Sequence, residues 1–446
     1  MARRPRRGPF EREPRDRLIA AREGASYWRP VGADKMAEGF VFLSTQTHMA
    51  YEYVDTQPAL EELARRMERA ERVALDTEAD SLHHYFEKVC LLQLSMDGEH
   101  FIVDPLAGLN LAEFLRVMAD RPLILHGADY DLRMLRASFG FRPSGEVFDT
   151  MLAAQLVGIE SFGLAALVHR FTGVVLSKNG TKSDWSQRPL TQAQLDYACD
   201  DTRYLEAVAE ALRRELDRLG RTDWYRETCA GMLEATTRDS RRDPDEAWRI
   251  RGSHALERRP MAFLRALWQW REEEARRADR PPFKIMGNEQ LIALALWAAE
   301  HPDASPAKGP RLPRHCRKGR RYQALRDAIR QAGALPRSEW PARRRPQPPE
   351  PRTPSCRPEI EALQAECSRV AGELGIAPSF LASRATLAAL ARNNARTIAE
   401  MMACSPILRW QAELLKPGVV RVLRGQPLSG SSRRAKGGGD GRTTSE

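Results

Sequence analysis

Along the first half of the chain, the spacing of hydrophobic and polar residues changes between a helical and a strand-like period. Over 58–70 the helical spacing predicts an amphipathic helix. Apolar runs predict strands at Val73–Glu78, Val89–Ser95, His100–Asp104 and Leu123–Leu125, and helical spacing returns near 110–119, over Ala128–Phe139 and within 150–171. Three strands followed by alternating helices and strands predict a mixed α/β sheet.

The second half of the chain shows only helical spacing, and strand patterns end by about residue 224. A helix is predicted over Gln192–Leu219, and two helical stretches follow at roughly 250–332 and 357–425. Between them, Pro336–Pro358 contains eight prolines in 23 residues, which predicts a stiff and extended linker. The chain is therefore expected to contain an α/β domain followed by all-α domains.

These patterns divide the chain into six predicted segments. They are an N-terminal segment (1–48), the α/β domain (49–223), a first helical block (245–334), a Pro- and Arg-rich linker (335–356), a second helical block (357–425) and a disordered tail (426–446). The first 48 residues show no sustained period, and Met49 directly precedes the patterned region. A disordered extension and a start codon assigned too far upstream both fit this observation.

The composition is that of a globular protein and excludes several other classes. Hydrophobic residues make up 42% and charged residues 29% of the 446 positions. The longest clean apolar run, Leu291–Ala299, has half of the roughly 18 residues that a membrane span needs. The seven cysteines are scattered and lack a CxxC pair, which argues against a disulfide framework or a structural zinc site. We therefore expect a protein of the reducing cytoplasm without a membrane span.

The formal net charge of +10 is unevenly distributed along the chain. Residues 51–220 carry 18 basic and 28 acidic side chains, a net charge of −10, so the rest of the chain carries +20. An acidic domain beside strongly basic segments suits a protein that binds a polyanion. Basicity alone is weak evidence, because 61 of the 70 basic residues are arginine and genome composition can produce that bias.

Five polar residues stand at positions suited to metal and phosphate chemistry. Asp76 and Glu78 lie two apart on a predicted strand, so both side chains emerge on one face. Asp131 lies early in a predicted helix that follows a short strand. Tyr197 and Asp201 lie four apart, which places a phenol and a carboxylate on one helix face. Each of these features alone also fits a helix cap or a solvated surface charge.

Together these residues resemble the motifs of the DEDD exonuclease superfamily, in its DEDDy branch, and within it the bacterial ribonuclease D family. The resemblance covers residues 51–220 and depends on LDTEAD, HGADYDL and YxxxD in that order. It is most specific over Ser183–Leu205, which is similar to the family nearly throughout. The resemblance implies a ribonuclease H-like fold for the α/β domain.

The resemblance also implies an active site with two metal ions. The implied ligands of two divalent ions, Mg²⁺ or Mn²⁺, are Asp76, Glu78, Asp131 and Asp201, and carboxylate oxygens suit such hard ions. Tyr197 is implied to position the attacking water, because a phenol with a pKa near 10 is a poor base. Asp200 is the neighbour of Asp201, but the YxxxD spacing selects Asp201.

Other residues near these motifs have both structural and functional interpretations. His83 and His84 lie in the loop between the first two predicted strands, where they either touch substrate or are simply exposed. His126 suits the placement of a terminal nucleotide and a structural hydrogen bond equally well. Asp149 is predicted to cap the helix that follows it, and Arg188 fits either kind of role.

The first helical block resembles an HRDC domain, the small helical module found after ribonuclease D catalytic domains. Over Phe263–Leu296, the match depends on WREEEA and RPPFKIM. The second helical block resembles a second and more divergent HRDC domain. No GxxxxGK[ST] loop is present, so the helicase context of this module is absent. The basic charge outside 51–220 leads us to expect that both blocks bind RNA phosphates, with plain helical packing as the alternative.

The resulting expectation is a monomeric, metal-dependent 3′–5′ exoribonuclease that trims structured RNA precursors such as tRNA and releases nucleoside 5′-monophosphates. Neither a membrane nor a protein partner is implied. A DNA 3′–5′ exonuclease is the first alternative, because a site that hydrolyses a phosphodiester does not itself select the sugar. A non-catalytic nucleic-acid-binding protein is the second.

Overall fold

The structure, a computed structural model, describes residues 51–177, 183–238, 243, 245–343 and 356–425. The predicted N-terminal segment 1–48, the predicted tail 426–446 and most of the predicted linker lie outside the described residues. Within the described ranges, no helix is both long enough and apolar enough to cross a membrane.

Six strands form one mixed sheet at the centre of the α/β domain. They are β1 (Glu52–Val54), β2 (Val73–Ala79), β3 (Val89–Met96), β4 (Glu99–Val103), β5 (Leu123–Leu125) and β6 (Val147–Asp149). Their order is β1-β4-β3-β2-β5-β6. The pairs β2–β3 and β3–β4 are antiparallel and the others are parallel, which confirms the predicted mixed sheet. β1 and β6 were not predicted, because their three-residue sequences, EYV and VFD, include acidic residues and do not form an apolar run like the LIL of β5.

Eight helices accompany the sheet. They are α1 (Gln57–Met67), α2 (Ala112–Ala119), α3 (Asp129–Phe139), α4 (Thr150–Leu156), α5 (Leu164–Thr172), α6 (Gln192–Arg203), α7 (Leu205–Arg218) and α8 (Thr222–Thr237). The single helix predicted over Gln192–Leu219 is wrong, since the chain forms α6 and α7 with Tyr204 between them. The two halves have different partners: α6 packs on β2, β3 and β4, whereas α7 packs on α4 and α5.

The first helical block folds around a core of its own. Its helices are α9 (Arg258–Ala278), α10 (Pro282–Ile285), α11 (Asn288–Glu300) and α12 (Gly319–Ala334). α9 packs against the other three, and Phe263, Leu267 and Trp270 on it are buried at helical spacing. Short 3₁₀ turns at Ser253–Ala255, Pro306–Lys308, Arg314–Cys316 and Arg337–Glu339 complete this part, and a fifth lies at Pro105–Ala107 in the α/β domain.

The second helical block shares its core with the α/β domain. Its helices are α13 (Arg357–Leu374), α14 (Pro378–Leu381), α15 (Arg384–Arg392), α16 (Ile398–Cys404) and α17 (Arg409–Leu423). Leu363 and Val419 belong to the same continuous apolar cluster as Leu75 and Leu94 of the sheet. The predicted order, a mixed α/β domain followed by helical domains, is confirmed, and the HRDC-like character of the second block stays a prediction.

Candidate active site

β2 brings two carboxylates into the centre of the α/β domain. Leu75 and Thr77 are buried on one face of this strand, and Asp76 and Glu78 are half-buried on the other. β3 pairs with β2 at both carboxylate positions, whereas β5 pairs with β2 only near its start. The backbone that carries the carboxylates is therefore held by β3, and helices α3 and α6 lie against the same strand.

α6 supplies the third motif. The helix begins at Thr191, whose hydroxyl accepts a hydrogen bond from the backbone N–H of Gln194 in a capping box. This fixes where the helix starts and hence the direction in which Tyr197 and Asp201, one turn apart, project. Burial, followed by the charge of Asp201, raises the pKa of Tyr197, so its phenol keeps its proton at neutral pH.

The structure brings together three of the four carboxylates that the sequence analysis singled out. Asp76, Glu78 and Asp201 each offer a ligand oxygen, and these oxygens all lie within 4.8 Å of one another. Asp131 lies outside that group but next to it. Its side chain is buried and accepts a hydrogen bond of 2.6 Å from the hydroxyl of Thr77, the residue between the two carboxylates of β2.

Asp149 has a structural role larger than the predicted helix cap. The cap is confirmed, because the carboxylate accepts hydrogen bonds from the backbone N–H groups of Met151 and Leu152. It also accepts from the N–H groups of Gly127 and Ala128, at 3.0 and 2.9 Å. Those two residues form the turn that leads into α3. The buried Asp149 side chain therefore fixes where α3 begins, and with it the position of Asp131 in the first turn.

Burial, together with the nearby acids, raises the pKa of each carboxyl group at the site. Burial, followed by the charges of Asp131, Asp201 and Glu78, raises the pKa of Asp76 well above its usual value. Burial is likewise the main cause that raises the pKa of Glu78 to about 8, that of Asp201 to about 7 and that of Asp131 to about 6. A bound cation would remove this mutual repulsion and hold the groups as carboxylates.

The donor set fits a hard divalent cation. All the clustered ligand atoms are carboxylate oxygens, which Mg²⁺ and Mn²⁺ prefer over nitrogen or sulfur. Cys199 on α6 is buried, and burial raises the pKa of its thiol to about 11, so it stays protonated at neutral pH. The arrangement suits chemistry in which cations act on a phosphate.

The two histidines in the loop between β2 and β3 are not simply exposed, as one of their two interpretations expected. His83 and His84 are each about three-quarters buried, with side-chain exposures of 26% and 25%. His83 lies 3.5 Å from the carboxylate of Asp184. The Nδ1 and Nε2 atoms of His84 lie 2.7 Å from a carboxylate oxygen of Asp279 and 2.9 Å from the hydroxyl of Ser186. His84 therefore joins the loop to the first helical block.

Two further residues with open interpretations take structural hydrogen bonds. His126 Nδ1 lies 2.9 Å from the hydroxyl of Thr150 at the start of α4. Arg188 donates two hydrogen bonds to the buried carboxylate of Asp104, at 2.5 and 2.6 Å, and a third to the carbonyl oxygen of Cys90. These bonds fasten the segment before α6 to strands β3 and β4. The partner Asp104 carries no sequence signal that would have identified it.

Known protein families match the α/β domain and the first helical block. A family model described as 3′-5′ exonuclease matches residues 51–217, the range that holds all the candidate site residues. A model described as HRDC domain matches residues 261–300, within the first helical block.

Known relatives extend the match along most of the chain. The chain is 32% identical over 343 residues to ribonuclease D of Gluconacetobacter diazotrophicus, covering 76% of this chain and 85% of that protein. It is 31% identical over 393 residues to ribonuclease D of Acidiphilium cryptum, covering 86% of this chain and 96% of that protein.

Solved structures show the same architecture. A protein from Bifidobacterium adolescentis matches with a TM-score of 0.70 at 26% identity, covering 84% of this chain and 97% of that one. Escherichia coli RNase D, described as an exoribonuclease involved in structured RNA processing, matches in fold with a TM-score of 0.63 at 24% identity, covering 85% and 100%. The family model, the sequence identity to relatives and the fold agree, and the chain belongs to the ribonuclease D family of 3′–5′ exoribonucleases.

Proposed function

We propose that this chain trims the 3′ ends of structured RNA precursors, such as those of tRNA, and releases nucleoside 5′-monophosphates. One observation carries the proposal: the ligand oxygens of Asp76, Glu78 and Asp201 lie within 4.8 Å of one another. Tyr197 lies one helical turn before Asp201 on the same helix. Four acids close together in a partly buried site are costly to ionise unless cations are bound. The cluster is therefore suited to bind the metal ions of a metal-dependent hydrolase.

The proposed ligands of two divalent ions are Asp76, Glu78, Asp131 and Asp201. Bound there, the ions would supply an activated water and stabilise the leaving 3′ oxygen. Asp76 is proposed to be shared between the ions, with Glu78 and Asp201 on the side of the attacking water. Asp131, which Thr77 holds outside the 4.8 Å group, is proposed to support the other ion.

Tyr197 is proposed to orient the attacking water. A phenol has a pKa near 10 in water and remains protonated at neutral pH, so it donates a hydrogen bond and is a poor general base. Its place on α6, one turn before Asp201, puts the hydroxyl group on the face that the clustered carboxylates share. Removing this hydroxyl group should slow hydrolysis without abolishing it.

Structured RNA is the proposed substrate because of how charge is divided along the chain. Residues 51–220 carry a net charge of −10, whereas residues 221–446 carry 42 basic and 26 acidic side chains. The catalytic domain therefore repels a polyanion unless metal ions are bound, and the helical blocks attract one. The Escherichia coli protein described as an exoribonuclease involved in structured RNA processing matches the fold over 85% of this chain.

The test is hydrolysis of 3′-labelled RNA and DNA oligomers in Mg²⁺, Mn²⁺ or EDTA, with Asp201→Asn as the inactive control. We expect the label to leave first, as a 5′-monophosphate, from RNA and only with metal. Equal rates on RNA and DNA would instead favour a general 3′–5′ exonuclease. RNA binding without any hydrolysis would favour a non-catalytic binding protein.

We also propose that the protein is a monomer located in the cytoplasm. Cys90, Cys199, Cys229, Cys316 and Cys367 are buried and form no disulfide bond, which fits a reducing compartment. Sedimentation of the purified protein should give a single species of the mass of one chain, 50.4 kDa.

A further inference from the structure

The first helical block meets the catalytic domain at the loop that follows β2. Asp279, at the end of α9, accepts hydrogen bonds from Nδ1 of His84 at 2.7 Å and from the backbone N–H of Tyr85 at 3.0 Å. The ring of Tyr85 packs against the core of the block, and the guanidinium of Arg276 lies 5.5 Å from that ring. The end of α9 therefore contacts the loop of residues 80–88, which directly follows the strand that carries Asp76 and Glu78 and is called the active-site loop below.

The parts of the block nearest this contact are strongly basic. Segments 276–284 and 311–321 together carry ten Lys and Arg residues and one acid, Asp279. That acid already accepts the hydrogen bonds of the active-site loop. The buried carboxylate of Glu274 on α9 pairs with Arg277, Arg320 and Arg321. The other cations of these segments still give this side of the block a strong positive charge, whereas the catalytic domain is acidic.

The two segments are joined to each other. Nε2 of His315 donates a hydrogen bond of 3.0 Å to the carbonyl oxygen of Ile285, at the end of α10. Arg320 donates two hydrogen bonds, of 2.8 and 2.7 Å, to the buried carboxylate of Glu274 on α9. Glu274 precedes Asp279 by five residues, about 7.5 Å along a helix. The surface that contains Arg276, Arg280, Lys284, Arg314, Lys318 and Arg320 is called the basic face below.

Several side chains of the basic face have no partner that would neutralise them. Arg280, Lys284, Arg314 and Lys318 are exposed, and no hydrogen bond or ion pair joins their side chains to another described residue. Two large aromatic side chains near them are also exposed: Phe283 on α10, at 57%, and Phe86 in the active-site loop, at 59%. Unneutralised cations with exposed aromatic rings are the combination that binds single-stranded nucleic acid, through phosphates and stacked bases.

We infer that the basic face binds the RNA strand immediately 5′ of the nucleotide in the candidate active site. This inference rests on the proposed function and adds to it the surface that holds the substrate. Arg280, Lys284, Arg314 and Lys318 contact phosphates of that strand, and Phe86 and Phe283 stack on its bases. The catalytic domain hydrolyses the RNA, and the cations of the first helical block hold it by electrostatic attraction.

The test is a variant in which Arg280, Lys284, Arg314 and Lys318 are all changed to Gln in the full chain. KM is measured for a long single-stranded RNA and for a dinucleotide, which lacks the upstream strand. We expect KM for the long RNA to rise about tenfold or more, and the slope of log KM against log salt to fall by about 3, at roughly 0.7 per lost phosphate contact. Turnover of the dinucleotide should not change, which also shows that the variant is folded.

The matched control changes four exposed cations of the second helical block to Gln: Arg384, Arg392, Lys416 and Arg424. This variant loses the same charge at a distance from the active-site loop, so its KM for long RNA should change by much less. An equal rise in both variants would show a general effect of net charge and would overturn the inference. So would an unchanged KM in the first variant, or an equal loss on the dinucleotide. If the wild-type protein binds RNA but does not hydrolyse it, the proposed function fails, and the salt slope of binding still tests the basic face.

Discussion

The two helical blocks are attached to the catalytic domain in opposite ways. The first has a separate apolar core and meets the catalytic domain at the active-site loop, through hydrogen bonds to Asp279 and the partly buried ring of Tyr85. The second continues the apolar core of the catalytic domain. There Trp410 stacks on Trp224, with ring centroids 5.0 Å apart, and Glu227 accepts hydrogen bonds from the first backbone N–H groups of α17.

The difference teaches that a helical block can either extend the core of a catalytic domain or remain a separate body that meets it at a small contact. A junction made of buried rings is stabilised by the hydrophobic effect and is rigid. A polar junction that leaves cations exposed beside an active site contributes little stability and keeps those cations available to a ligand. The second block is therefore expected to matter for folding, and the first for binding RNA.

The largest expected effect is a loss of kcat on mutation of the catalytic domain, which neither helical block should produce. Asp201→Asn removes a proposed metal ligand and should lower kcat on the order of a thousandfold or more, with RNA affinity and stability nearly unchanged. The matched control is Asp200→Asn, the same change one position earlier, which should lower kcat far less. Steady-state hydrolysis in Mg²⁺ measures both. If the two variants lose the same activity, the assignment of Asp201 within the YxxxD motif is wrong.

The next effect tests the shared core of the second block. Trp410 is 3% exposed, so Trp410→Ala leaves a cavity and should lower the free energy of unfolding by about 3–5 kcal/mol. Because the core is continuous, the temperature at which hydrolysis is lost should fall too. The control is Trp270→Ala, which makes the same change at a residue 4% exposed in the separate core of the first block. If both variants lower the temperature at which hydrolysis is lost by the same amount, the second block is no more coupled to the catalytic domain than the first.

These junctions mark the limit of what the sequence could predict. The i, i+2 spacing of Asp76 and Glu78 and the i, i+4 spacing of Tyr197 and Asp201 are local, so strand and helix geometry places each pair correctly. No local pattern shows that two such pairs converge, and the family resemblance supplied that expectation. Trp224 and Trp410 are separated by 186 positions, and the stacking of the partly buried Trp224 on the buried Trp410 depends on tertiary packing that neither neighbourhood encodes. The break at Tyr204 carries no Gly or Pro and arises because α6 and α7 pack on different partners.

The clustered carboxyl groups of the catalytic domain should make its stability depend on pH. Its clustered carboxyl groups bind protons more tightly in the folded, metal-free protein than in the unfolded chain, where their pKa values are near 4. The stability of the metal-free protein should therefore fall by several kcal/mol as the pH rises from about 4 to about 8, since each unit of raised pKa corresponds to about 1.4 kcal/mol. Melting curves in EDTA and in excess Mg²⁺ measure this, and Mg²⁺ should flatten the dependence. A metal-free stability that rises over this range would contradict the prediction.

The smallest expected effect concerns the polar junction of the first block. Asp279→Gly removes the carboxylate while tolerating the φ of 44° at this position, so only the hydrogen bonds to the active-site loop are lost. Because the side chain is 48% exposed, the cost should be about 1 kcal/mol, and global stability should barely change. The backbone N–H of Tyr85 loses its acceptor, so its hydrogen exchange should accelerate about fivefold. Asp279→Asn keeps a carbonyl oxygen as acceptor and also tolerates this backbone conformation, so most of the protection of Tyr85 should return. A loss of global stability as large as that of Trp410→Ala would mean that the first block, like the second, is part of one cooperative core.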